Sequence, residues 1–242
     1  MTESIYLRLS GPLQSWAGPR VTGNVVRSEP RPTRSGLEGL LAGALGWPQN
    51  AWEDWIHSAT LTVRSDRPGS RVDEFQTINP RDEDLKYQQR AYVLSFGKRW
   101  SKRAHFTPDG QNKTSIVNRT YISDAEFLVE VQDSDHFSSL VDAARSPFFT
   151  TYLGRKAFAP TFPFLLGIGE SGLLETLPTP RRPQPSYSYR NEYFDALPDS
   201  EKAHLRIDSL GPETSKDWHF TDVDELPREK WLDHIATTLS RG

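Results

Sequence analysis

The 242-residue chain has no cysteine and a single methionine. Without cysteine there is no disulfide framework, no thiolate metal site and no cysteine nucleophile, which suits a reducing compartment. No apolar run approaches the roughly 20 residues a membrane-spanning helix needs. The opening "MTESIYLRLSGPLQSW" also lacks the basic-then-apolar pattern of a signal peptide. The cytoplasm is therefore the expected location, with no membrane partner. Six scattered histidines show neither H-x-x-x-H nor H-E-x-x-H spacing, so neither metal nor cofactor is expected. A serine elbow of the G-x-S-x-G type is also missing. "GIGESG" (167–172) imitates a dinucleotide fingerprint, but Pro178 and Pro180 interrupt the helix that fingerprint requires, so it reads as a turn.

Charge is plentiful but segregated. The net charge is −3, yet residues 86–119 hold eight bases (Lys86, Arg90, Lys98, Arg99, Lys102, Arg103, Lys113, Arg119) against the single acid Asp109. That stretch is +7 and the rest of the chain −10. A patch of this kind steers a polyanion. The patch also contains His105, close in sequence to Tyr87, Tyr92 and Lys102. Such a set could deprotonate a 2′-hydroxyl in metal-free RNA cleavage. The plainer reading is a phosphate contact or a surface histidine.

Alternation and apolar content mark strands at 4–9 ("SIYLRL"), 59–65, 125–131 and 162–168. Residues 11–32 read as a loop rich in Gly, Pro and Arg. A helix follows at 35–46, where Ser35 and Glu38 form a capping-box pattern. A second helix runs from about residue 135 to Pro147. The order β, α, β, insertion, β, α, β points to an α+β, ferredoxin-like (split βαβ) domain over residues 1–177. Its insertion, 66–124, carries the basic patch. Residues 178–242 read as a proline-rich linker and a small acidic C-terminal appendage with one terminal helix from about Pro227.

The first helix carries Gly36, Gly39 and Gly43 inside it and Gly46 at its end. Each interior glycine costs about 0.5–1 kcal/mol relative to alanine. For Gly36, at the helix start, the expected reason is approach of a phosphate backbone to the unpaired N–H groups and positive dipole end. For Gly39 and Gly43, backbone approach and packing on the chain's own sheet stand as equal readings. Trp16, Trp100 and Tyr121 are large rings near bases, candidates for stacking single-stranded RNA. Trp52 and Trp55 read as packing residues.

Five stretches together carry a resemblance: "LRLSGPLQSWAG" (7–18), "RPTRSGLEGLLAGALG" (31–46), "VRSDRPGSRVDEFQTI" (63–78), "YISDAEFLVEV" (121–131) and "YLGRKAFAPTFPFLLG" (152–167). In order over roughly residues 4–170, they resemble the CasD family of the RAMP superfamily, the subunit of type I-E CRISPR Cascade complexes that holds the 5′ handle of the guide RNA. The resemblance implies an RNA-recognition-like domain with an inserted β-hairpin thumb, here about 79–118. It implies a non-catalytic part in antiviral defence, capping a filament of backbone subunits beside a large subunit. Target DNA is then met through the assembled complex. Position by position it implies RNA contacts at Gln14, Trp16, Thr33, Ser35 and Gly36, at the Gly154-Arg155-Lys156 turn, and at Arg119 and Tyr121 at the thumb's base. Arg20, Arg31, Arg34, Lys98, Arg99, Lys102 and Arg103 join them as flanking cations. Relatives in another CRISPR subtype cut precursor RNA themselves, which keeps the endoribonuclease reading as the alternative. Glu38 departs from the family's usual apolar residue, and the capping box accounts for it.

Overall fold

The computed structural model describes residues 2–17, 25–49, 51–78, 92–93, 115–181, 201–211 and 217–239. Its centre is β1 (Glu3–Ser10), whose residues Ser4–Leu9 are all buried. One face of β1 carries Ile5, Leu7 and Leu9, which pack under two helices. These are α1 (Arg34–Ala44) and α2 (Phe137–Arg145), contributing Leu37, Leu40, Leu41, Leu140 and Val141. The other face carries Tyr6, which an alternating strand would expose. It is covered by α3 (Arg228–Thr238) through Trp231, Ile235 and the following Leu239. Burial on both faces requires the polar residues of β1 to be paired. Ser4 donates to Glu130 at 2.8 Å, and Arg8 is ion-paired with Glu126 at 2.5 Å and lies over the Trp231 ring.

The remaining strands are β2 (Leu13–Gln14), β3 (Trp16–Ala17), β4 (Val25–Val26), β5 (Ser28–Glu29), β6 (Thr60–Arg67), β7 (Ser70–Ile78), β8 (Ser115–Ser123), β9 (Glu126–Gln132), β10 (Leu165–Glu170), β11 (Thr179–Pro180), β12 (Glu201–Leu210) and β13 (Trp218–Leu226). The main sheet runs β10-β1-β9-β6-β12-β13-β11. Every neighbouring pair is antiparallel except β11 with β13. A second sheet is built on β8, which pairs along its whole length with β7, from Ser70↔Ser123 to Ile78↔Ser115. Its other edge takes β2 and β4. The architecture is mixed α/β, mostly sheet, with three α-helices longer than two residues among the described residues.

Three sequence expectations change. The segment 11–32 contains four two-residue strands, β2 to β5, too short to leave an alternation signal. The fourth apolar strand starts at Leu165 rather than at 162, because Pro163 has no N–H to give a ladder. The chain after residue 177 is more than a linker and a helix. β12 pairs with β6, β13 pairs with β12, and the segment continues the main sheet. Arg64 fixes this join: fully buried, it is ion-paired with Asp66 at 2.8 Å and donates to the carbonyls of Leu174, Leu177 and Pro178. α3 begins at Arg228 after Pro227, where the sequence placed it. Among the described residues no helix is long and apolar enough to cross a membrane.

Candidate nucleic-acid interface

The stretches singled out in the sequence meet at one junction between the two sheets. Gln14 is buried at its centre. Its amide donates to the carbonyls of Leu9 (3.2 Å) and Ala125 (2.9 Å) and accepts from the Trp16 indole at 2.9 Å. Trp16 is fully buried and reaches the start of α1. A Cβ on Gly36 would stand 2.9 Å from the Trp16 ring. From the other side the turn after Leu153 closes in. Gly154 has φ +83°, and a Cβ there would overlap the Ser15 carbonyl oxygen at 1.6 Å. Only glycine permits this approach.

Above the junction stands a polar chain on one face of the β7–β8 ladder. The Tyr121 hydroxyl donates to Glu74 Oε2, and the Gln76 amide donates to the same oxygen at 2.7 Å. Arg119 Nε donates to Gln76 Oε1 at 3.2 Å. Arg155 Nη1 donates to the Tyr121 hydroxyl and lies 3.6 Å from Glu74 Oε2. Its guanidinium sits over the Tyr121 and Phe158 rings, 5.3 and 5.7 Å from their centroids. Two cations from distant parts of the chain, Arg119 and Arg155, are thus joined through one carboxylate. Lys156, next to Arg155 in the chain, is exposed.

Several expected contact residues turn out to be packing or capping groups. Trp16 and Tyr121 are buried, so neither ring offers a face to a base, and Gln14 is spent on the backbone. Gly36 makes room for the Trp16 ring. The cap of α1 is Thr33, whose hydroxyl accepts from Gly36 N at 3.3 Å, one residue pair earlier than the expected Ser35 box. Glu38 does not reach back to the helix start. It is buried between Arg34 (2.8 Å) and His57 (3.1 Å), and that pairing explains a carboxylate at an apolar position. Arg34 also donates to the carbonyls of Leu210, His57 (2.7 Å) and Ala59 (2.8 Å), while Arg31 is ion-paired with Asp208 at 3.2 Å. Both arginines tie the α1 entry to β12. Ser35 is exposed at the helix start. Gly39 faces Trp52 at an ordinary 3.5 Å, and nothing lies within 4 Å of a Cβ on Gly43, so neither is forced by packing. Trp52 and Trp55 pack on the core as expected. Arg20, Lys98, Arg99, Trp100, Lys102, Arg103 and His105 lie outside the described residues. Sequence reading missed Glu74, Gln76 and Phe158, although all three sit inside the stretches that carried the resemblance. Alternation along "SRVDEFQTI" was the available signal.

The chain is similar to known proteins both in fold and in sequence. A solved chain titled "CRISPR RNA-guided surveillance complex" superimposes with a TM-score of 0.68 at 24% identity, covering 98% of this chain and 100% of that one. A second, titled "Crystal structure of Cas protein", gives 0.51 at 22% identity over 94% and 96%. At these identities the likeness speaks to fold alone, a sheet-rich mixed α/β architecture. In sequence, the Escherichia coli (strain K12) protein "CRISPR system Cascade subunit CasD" is 31% identical over 172 residues, 69% of this chain and 71% of that protein. The family profile described as "CRISPR-associated protein (Cas_Cas5)" matches residues 4–236. The chain belongs to the Cas5 family of CRISPR-associated proteins.

Proposed function

We propose that this protein is the RNA-gripping subunit of a type I-E Cascade complex, holding the 5′ handle of the guide RNA and capping the backbone filament. The observation that carries the reading is convergence. Segments 13–16, 33–36, 70–78, 115–123 and 153–158, far apart in sequence, form one junction with Arg119, Arg155, Lys156 and Ser35 at or near its surface. Buried Gln14, Trp16 and Tyr121 act as its scaffold. The order β10-β1-β9-β6, with α1 and α2 on one face, supports a ferredoxin-like domain. The β7–β8 ladder is the base of an inserted thumb whose basic residues, Lys98, Arg99, Lys102 and Arg103 among them, hold phosphates. Backbone and large subunits are the protein partners, target DNA is reached through the complex, and the setting is cytoplasmic.

The role is non-catalytic. Purified full-length chain is expected to bind guide RNA and to leave precursor repeat RNA intact, in EDTA and in Mg²⁺ alike. Gel analysis of both incubations checks this. A site-specific cut abolished by His105→Ala would replace the reading with that of an endoribonuclease, and failure to co-purify with guide RNA would remove it.

A further inference from the structure

We infer that Glu74 is a selectivity residue of the RNA interface: its carboxylate opposes unselective phosphate binding at Arg119 and Arg155 and favours RNA that brings it a hydrogen-bond donor. The inference rests on the RNA-binding reading above.

Glu74 and Arg119 are directly opposed in the β7–β8 register, and Gln76 and Tyr121 share their face. Asp73, the neighbouring acid, points the other way and accepts from Thr120 at 2.7 Å. Among the described residues of β7 and β8, Glu74 is therefore the one carboxylate on this face. It touches Arg155 at 3.6 Å and reaches Arg119 through the Gln76 amide. Its side chain is 41% exposed and that of Arg155 33%, so a ligand meets both charges at once.

A phosphate that approaches Arg155 here must come close to a like charge. At a half-exposed site this repulsion is moderate and short-ranged, because water and salt screen it. The same carboxylate can only accept hydrogen bonds. A 2′-hydroxyl or a base N–H placed against it recovers what the phosphate loses. A polyanion without such a donor recovers nothing. A purely structural tie would require only the shape and the accepted bonds, which glutamine keeps on its amide oxygen.

The test measures anisotropy of the full-length chain with two probes, alongside melting: the guide RNA from its own array, and a short abasic deoxyoligonucleotide, which carries phosphates but neither 2′-hydroxyls nor bases. Glu74→Gln is expected to bind the abasic probe about three- to tenfold more tightly, the size of one screened like-charge contact. Guide RNA should gain less, so the preference for guide falls at an unchanged melting temperature. Glu74→Asp, which retains the charge, should retain the preference. Gln76→Glu, which adds a second carboxylate to the face, should weaken binding of the abasic probe and serves if Glu74→Gln folds poorly. An unchanged preference in Glu74→Gln, or equal weakening of both probes with a lower melting temperature, overturns the inference while leaving the RNA-binding reading intact. Wild-type chain that binds neither probe overturns both.

Discussion

Gly36 and Gly43 lie on one helix, two turns apart, and meet opposite surroundings. At Gly36 a methyl group would press on the fully buried Trp16 ring at 2.9 Å, and on Thr33 Oγ1 at 3.1 Å. Trp16 cannot yield, because its indole is bonded to Gln14 and its backbone N–H to Ser28 Oγ at 2.8 Å. Gly36→Ala should therefore cost about 1–3 kcal/mol, the usual toll of overpacking a core. At Gly43 the same methyl enters open space. Alanine's better helix propensity should then show undiminished, stabilising the fold by about 0.5–1 kcal/mol. Thermal melting of the two variants checks the pair, which should move in opposite directions. A Gly36→Ala variant that melts at or above wild type would return that glycine to the RNA. Sequence could not separate these cases, since helical spacing puts Gly36, Gly39, Gly43 and Gly46 on one side without saying what that side touches. Gly46 stands apart again: at φ +83° it ends α1, with Trp47 N bonding back to Ala42 O at 2.9 Å.

Among the elements, the C-terminal strands and α3 matter most for stability. β12 covers the edge of β6, and α3 buries Trp231 against Tyr6, Leu128 and Ile207. The Trp231 indole donates to Pro178 O at 2.8 Å. Removing residues after 177 would bare an edge strand and an apolar face together, a combination that invites aggregation. The truncated chain is expected to be insoluble on expression. The single variant Trp231→Ala should stay soluble but lose about 3–5 kcal/mol, read by denaturant unfolding. A soluble, normally melting 1–177 fragment would show that the C-terminal strands are dispensable. Strands β1, β6, β9 and β10 and helices α1 and α2 were legible because they combine β-rich runs, helical periodicity and proline stops. β12 carried a readable alternation, Ala203, Leu205 and Ile207 inward against His204 and Arg206, yet it lies among charged residues that suggest an appendage. β13 ("WHFTDVDEL") buries only Val223 and had little to read. The candidate site was legible as stretches but not as roles. Aromatic rings near bases suggest stacking, and only the fold reveals that Trp16 and Tyr121 have been spent on the core.

At the scale of the molecule, the segregation of +7 from −10 sets how the chain meets a polyanion. A protein with uniform charge −3 would be weakly repelled by RNA at every orientation. One with its bases gathered in a single stretch, 86–119, attracts RNA to that stretch while the remaining charge repels it, which favours contact there. Binding that arises this way releases counterions, so its affinity falls linearly with salt on logarithmic axes, with a slope of about 0.7 per single-strand phosphate neutralised. Lys98, Arg99, Lys102 and Arg103 form the densest run of that patch. Replacing all four with alanine should flatten the slope by up to about 2.8 if each holds one phosphate. Arg155→Ala with Lys156→Ala should flatten it by a further 1.4 or so, because those cations sit on the described junction rather than in the patch. Titrating guide RNA at several salt concentrations separates the two contributions. Slopes unchanged in the fourfold variant would remove the patch from the RNA path and leave the junction to carry the contact alone.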